Sequence, residues 1–435
     1  LDGGKASVRA GIRPTPGDGA AGGNATMYRA GPAATVRGLP GNDHRSSIDM
    51  VEAIRPSDID ECRVPRMPER DITDADRELF FTVTRTRLTP EQEGIVSTPA
   101  AVHPGQRHVL ATHWHPEFVP MGLIARRIDA MFPGAQDRLV IPTQHNVLTG
   151  FGDYLGVEID CFSRGFNQKV QLLVHFRKEK AENAGRLEAM LAHTFRYRAS
   201  QLFEFIASFT RPDAHRLNRA AAETGASRDL VEFVRIEVGK VGRLLEAHGD
   251  QVPPDMIKNK LLRNFLDGRI PERGEAFIAR AQVFLRAVKA LVKQAFPLDY
   301  FYRTSEVIEE ARSIGAGIVI PHPEQFWPIL LQEYDVDGCE VWNPQSRKYT
   351  EFLISVIDRN NRRPGFSRRP LLVFMGDDTH MAEKIRDPKA QDPEKAGREI
   401  GVQPAWEDYS IEKALIRADV SREGVIRQYR ERLDG

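Results

Sequence analysis

Val109-Leu110-Ala111-Thr112-His113-Trp114-His115-Pro116-Glu117 is the stretch on which the reading of this chain turns. A short apolar run ending in His-x-His reads as a buried strand that delivers two imidazoles from its carboxyl end. Residues two apart in a strand point to the same side, so His113 and His115 can reach one metal ion. The motif gains weight only from what recurs along the chain.

Further short apolar strands follow. Leu139-Val140-Ile141 leads to His145, Gly156-Val157-Glu158-Ile159 carries Glu158, and Val170 to His175 ends on an imidazole. Met121 to Phe132 has helical periodicity and stops at Pro133-Gly134. Leu79 to Val83 reads as a strand or a short buried element. From about 180 to 300 the pattern is helical only, which predicts an insertion of four or five helices divided at Pro212, Pro253-Pro254 and Pro271. Strands return at Gly317 to Ile320 before His322, at Cys339 to Trp342, and at Leu371 to Met375 before Asp378 and His380. Gly315-x-Gly317 lacks the third glycine of a dinucleotide site and reads as a strand entry. Strands alternating with helical segments predict an α/β fold with a parallel sheet, open or closed into a barrel.

Outside this region the chain reads differently. Residues 1–75 are rich in Gly, Ala, Pro and Arg and poor in large apolar side chains, so they are expected to be extended or disordered. The chain starts at Leu1 rather than Met, as a fragment or an oddly assigned start would. Residues 390–435 read as a charged helical tail packed on the outside. Of 435 residues, 61 are Lys or Arg and 61 Asp or Glu, so no global field points to nucleic acid or a membrane surface. Three scattered cysteines give no disulfide framework, and no apolar run reaches the roughly 18–20 residues needed to span a bilayer. A cytoplasmic protein is expected, and nothing in the chain's pattern sets its oligomeric state.

Six of the twelve histidines, together with Glu158 and Asp378, fall at or near strand ends, where parallel α/β barrels build their active sites. Each also has a structural reading: a hydrogen-bonded imidazole, a surface carboxylate, or a helix cap at Asp378. Their coincidence favours a metal centre suited to zinc, manganese or iron.

The order of motifs resembles the PHP (polymerase and histidinol phosphatase) family of metal-dependent phosphoesterases, over about 108–178 and 301–382. The resemblance rests on His113-x-His115, His145, Glu158, His175, Pro321-His322-Pro323, the segment Glu340 to Asn343, and Asp378-x-His380. It implies a distorted (β/α)7 TIM-like barrel from 76–178 and 301–389. The helical insertion 179–300 leaves directly after His175 and returns before His322, so it is read as a cap limiting access to the site or as a packing or oligomer contact. The resemblance also implies two or three divalent ions. His113, His115, Glu158 and Asp378 would hold one, Glu158, His175 and His322 a second, and His145 and His380 a third. Many members carry another histidine or aspartate soon after His-x-His. Here Met121 follows instead, so Glu117 substitutes, or a water does, or the third site is weak. The spacing from His145 to Glu158 is short for a barrel helix.

Such a centre predicts hydrolysis of a small-molecule phosphate ester by metal-bound hydroxide. Arg164, Lys178 and Arg347 follow strand ends and are the candidate phosphate-binding cations; a solvated surface charge is the simpler account of each. The basic cluster Arg362-Arg363 and Arg368-Arg369 precedes a strand and is assigned to the opposite face. Two rival readings stay open: an amidohydrolase-like hydrolase of C–N bonds, and a noncatalytic metal-binding or nucleic-acid-associated module. Phosphatase activity lost on chelation and in Asp378→Ala would favour the first reading.

Overall fold

The computed structural model describes residues 67–211, 214–363, 369–388 and 391–435, all within a unit running from Arg63 to Gly435. The low-complexity stretch up to position 66, Pro212 and Arg368 lie outside the described residues. Among the rest, no helix is long and apolar enough to cross a membrane.

The strands are β1 (His108–Ala111), β2 (Trp114–His115), β3 (Asp137–Val140), β4 (Thr149–Phe151), β5 (Tyr154–Ser163), β6 (Gln168–Arg177), β7 (Gly317–Ile320), β8 (Gly338–Trp342), β9 (Leu372–Met375) and β10 (Thr379–His380). They form a parallel β1-β3 pair, a parallel β10-β2 pair, and one sheet ordered β4-β5-β6-β7-β8-β9. The large sheet is mixed: β4, β5, β6 and β7 pair antiparallel, while β7, β8 and β9 run parallel.

The expectation of an all-parallel sheet is therefore corrected, and the regular strands of the described residues do not close into a barrel. The reason is local. Only residues 164–167 separate β5 from β6, and a parallel neighbour needs a crossover of about a dozen residues or more. The chain turns back as a hairpin, with Asn167 in the left-handed region. Between His145 and Glu158, where the spacing is short for a barrel helix, the chain likewise turns into the β4-β5 hairpin. Crossovers survive elsewhere: helix Met121–Met131 joins β1 and β2 to β3, and helix Thr350–Asn361 joins β8 to β9. Gly315 has φ 66 just past helix Thr304–Ser313, and Gly317 begins β7, so that pair is the expected strand entry.

The insertion is helical, as its periodicity predicts. Its α-helices are Gly185–Thr210, Ala214–Thr224, Arg228–His248, Lys260–Asp267, Ile270–Arg273 and Glu275–Ala295. Pro271 does not divide a helix; it sits in the first turn of a short one, where its missing N–H goes unneeded. Leu202, Phe205, Ile206 and Phe209 recur on one face and pack against Phe233, Phe265 and Phe284 in a core separate from those of the sheets. Each such side chain contributes about 1.5–3 kcal/mol by burial.

That core also takes in Phe80. Leu79 to Val83 is not a strand but part of helix Asp74–Thr84, started by a Thr73–Asp76 capping box. The helix belongs with the insertion rather than with the sheets. Asp76 fixes it there, facing Lys240 (3.0 Å) and Arg269, with Glu237 2.8 Å from Arg269. All four side chains are buried, and each charge is paired.

The C-terminal segment is not an outer tail. In helix Arg422–Asp434, Val425, Ile426, Tyr429 and Leu433 are buried. They share a core with Leu110, Leu139, Leu173, Val319, Leu372 and Phe374, from β1, β3, β6, β7 and β9. The helix closes the end of the sheets away from His113 and His115.

Candidate metal centre

Among the described residues, three donor groups lie close enough to hold ions: His115 with His145 and His380, His113 with His115 and Asp378, and His113 with Glu158 and His322. His113 and His115 each serve two of them, so seven residues from five parts of the chain form one continuous cluster. His115 Nε2 is 3.4 Å from Asp378 Oδ1 and 3.7 Å from Glu158 Oε2. His322 Nε2 is 3.6 Å from Glu158 Oε1, and His380 Nε2 is 3.5 Å from Asp378 Oδ1. His145 Nδ1 lies against Glu158 Oε2.

The backbone is bent to aim these groups. His322 (φ 27), Asp378 (φ 47), Glu117 (φ 52) and Asn146 (φ 54) are all left-handed without being glycine. Such conformations are costly outside glycine and concentrate at functional sites. At Asp378 the turn is pinned from both sides. Its N–H donates to the His113 carbonyl (2.9 Å), while Asp377 accepts from the Gly401 N–H (3.0 Å) and Gln403 Nε2 (3.3 Å). Burial pushes the Asp377 carboxyl up to about 6, against the hydrogen bonds from Gly401 and Thr379.

Outer groups fix the ring orientations. His113 Nδ1 donates to Glu340 Oε1 (2.7 Å), and Glu340 Oε2 accepts the His322 N–H (3.0 Å). A carboxylate behind a ligating imidazole settles its tautomer and leaves Nε2 as the donor to metal. Gly376 makes room for that carboxylate, since a Cβ there would collide with it. Arg398 holds the far oxygen of Asp378 at 2.7 Å, with Gln345 Nε2 3.1 Å from the same oxygen. Glu117 joins none of the three donor groups. Its carboxylate accepts the Ala382 N–H (3.0 Å) and stands 3.7 Å from His380 Nδ1, behind that ring as Glu340 stands behind His113.

The donor set suits divalent ions. His113 Nε2, 3.6 Å from Asp378 Oδ1, is buried without a hydrogen-bond partner, which a folded chain tolerates poorly unless something else meets it. Burial disfavours a charged His113, yet Glu340, Asp378 and Glu158 outweigh it and raise its pKa to about 10. A divalent ion answers the same field. Burial together with His380 and His145 pushes His115 down to about 3, leaving it a neutral donor. Burial also opposes charge on Glu158 and Asp378, but the surrounding imidazoles hold both well below the usual carboxylate range.

His175 does not enter the cluster. Burial lowers its pKa to about 3; its Nδ1 is 2.7 Å from the Tyr429 hydroxyl and its Nε2 donates to the Thr112 carbonyl (3.1 Å). The cause is the direction of β6. It runs antiparallel to β7 and places His175 opposite Gly317, at the start of β7, whereas His322 follows its end. Lys178, just past β6, is turned the same way. Arg164, Lys178 and Arg347 are all exposed, and none of them lines the cavity at the donor cluster. Arg362 and Arg363 are engaged with the Arg417 carbonyl and Glu333.

The sequence reading missed Glu340 as an orienting group, as well as Arg398 and Tyr429. Glu340 had a legible signal, a charged residue inside the apolar strand Cys339-Glu340-Val341-Trp342, which burial permits only with a partner. Glu340→Gln keeps the volume and removes the charge. It is expected to weaken zinc or manganese binding about 10- to 100-fold, measured by calorimetric titration; unchanged affinity would remove Glu340 from the centre.

No family model matches the chain, and no curated protein matches it. A solved structure from Bifidobacterium adolescentis, provisionally described as a metal-dependent phosphoesterase, aligns with a TM-score of 0.34 at 16% identity, covering 74% of this chain and 99% of that one. A likeness of that size carries no weight for the activity of this chain.

Proposed function

We propose that this protein is a metal-dependent phosphoesterase of the PHP type, acting on a small-molecule phosphate ester. The observation that carries the reading is that seven imidazole and carboxylate donors adjoin in one cluster, more than the roughly four that one zinc ion takes, with Glu158 facing His115 and His145 by one oxygen and His322 by the other. His113, His115, Glu158 and Asp378 are assigned as the inner donors, with His145, His322 and His380 around them. Divalent ions held there would lower the pKa of water to about 7 and neutralise phosphate oxygens. Zinc, manganese and iron all suit imidazole with carboxylate.

The chain's own groups set the approach. His145 and His380 are the most open donors, with side chains 28% and 22% exposed, so the ester enters on their side. A cavity of about 810 Å3 adjoins them, under the helical insertion. The insertion is thereby read as a cap over 179–300, joined by helix Asp74–Thr84.

The same proposal reads the strands as a distorted ring of seven: β1 with β2, then β3, β5, β6, β7, β8, and β9 with β10. Support comes from the β10-β2 pair and from the isolated His145–Glu158 bridge, which join the edges of the three sheets.

The test is a substrate panel on metal-loaded protein. Phosphate monoesters are expected to be hydrolysed, with activity lost on chelation and restored by zinc or manganese. Loaded protein that cleaves an amide but no phosphate ester would replace this reading with the amidohydrolase one.

A further inference from the structure

The cavity beside His145 and His380 has a second wall, and that wall is cationic. In helix Glu275–Ala295, Phe284, Val288 and Leu291 face the insertion's core. Arg286, Lys289 and Lys293, spaced by three and four, face the cavity instead. Arg198 reaches it from helix Gly185–Thr210 and Lys169 from β6.

These charges are not balanced locally. Arg198 and Lys169 both pair with the single buried carboxylate of Asp160, Arg198 at 2.9 Å. Lys289 and Lys293, one turn apart, have no ion pair or hydrogen bond among the described residues. Burial, with Lys293, Arg263 and Arg198 nearby, pushes the Lys289 ammonium down to about 8. Asp160, already paired with Arg198 and Lys169, is the carboxylate that acts on Lys293, and ammonium groups so under-compensated in a partly enclosed space are stabilised by an anion that enters it.

Size and net charge narrow the class of anion. A volume of about 810 Å3 falls within the range of about 300–1,000 Å3 typical of small-molecule sites. The neutral chain lacks the broad positive field that a nucleic-acid strand would follow. One anionic group at the donor cluster leaves the lysine wall unanswered.

We propose that the substrate carries a second phosphate group, besides the ester that is hydrolysed, and that Lys289 and Lys293 seat it. This rests on the phosphoesterase reading of the site. The lysines are specificity residues, remote from the bond that breaks.

The probes are 1,6-hexanediol bisphosphate and n-hexyl phosphate, given to the full metal-loaded chain. Binding is followed by calorimetry and turnover by phosphate release. A charge-assisted contact of about 1.5–3 kcal/mol predicts a preference for the bisphosphate of roughly 10- to 100-fold. Lys289→Ala/Lys293→Ala should erase that preference while leaving turnover of n-hexyl phosphate and metal content unchanged. Lys289→Gln/Lys293→Gln serves if the alanine pair does not fold. Equal affinity for the two probes, or a loss that strikes both alike, overturns the seat even if n-hexyl phosphate is hydrolysed. Lysine-dependent bisphosphate binding without any turnover keeps the anion seat and rejects the phosphoesterase reading.

Discussion

Asp378→Asn is expected to lower kcat/KM for a phosphate monoester by about 10³-fold or more, the equivalent of roughly 4 kcal/mol of lost charge stabilisation. Asn is the informative choice because it keeps the shape and, like Asp, tolerates a left-handed backbone, here φ 47. Alanine would add strain and leave the buried Arg398 guanidinium with no side-chain acceptor at 378, where the amide oxygen of asparagine still offers one. The amide removes the charge from the point where His113, His115 and His380 converge on Oδ1. Bound metal should fall with activity, so elemental analysis and kinetics belong in one experiment. A variant that keeps its full metal content and activity within about tenfold of the parent, a cost near 1.4 kcal/mol, would show that Asp378 is not a ligand.

Removing residues 422–435 is expected to prevent folding. The deletion takes away four buried side chains, Val425, Ile426, Tyr429 and Leu433. At about 1.5–3 kcal/mol each they amount to about 6–12 kcal/mol, comparable with the whole stability of a typical domain, about 5–15 kcal/mol. Ion pairs go with them, among them Arg430 to Asp137 (2.6 Å), Arg177 to Asp434 (3.1 Å) and Arg432 to Asp337 (3.3 Å). Soluble yield and thermal melting of the shortened chain check this; a cooperative melt near that of the full chain would refute it. Tyr429→Phe isolates the polar part. It should cost about 1–3 kcal/mol, because the buried His175 Nδ1 loses its hydroxyl partner. Burial holds the Tyr429 phenol well above its ordinary pKa, so the hydroxyl keeps the proton it donates.

The two predictions fall on opposite sides of what could be read in advance. Asp378 was legible because Asp-x-His follows an apolar strand and completes a series begun at His113. The role of helix Arg422–Asp434 was not, because its mean composition is charged and its buried positions are few. A helix needs only one narrow apolar stripe to dock, and Val425, Ile426, Tyr429 and Leu433 supply it. Glu117 lies between these cases. It was picked out as a stand-in ligand, and the fold sets it behind His380 instead.

The residue types able to hold metal, the apolar runs that become strands, and the helical character of 180–300 are legible in the order of residues alone. Those properties are local, set by side-chain chemistry and by periods of two and 3.6. Strand direction was decided only in the tertiary structure. The rule that links a strand's carboxyl end to the site applies to parallel strands, and β6 runs the other way because four residues are too few for a crossover. That reversal carries His175 to the Tyr429 end of the sheets and leaves His322 with the donor cluster. The same holds for the cavity wall: the spacing of Lys289 and Lys293 is visible in the sequence, but that they share a cavity with His145 and His380 follows only from how the insertion folds back over the strands.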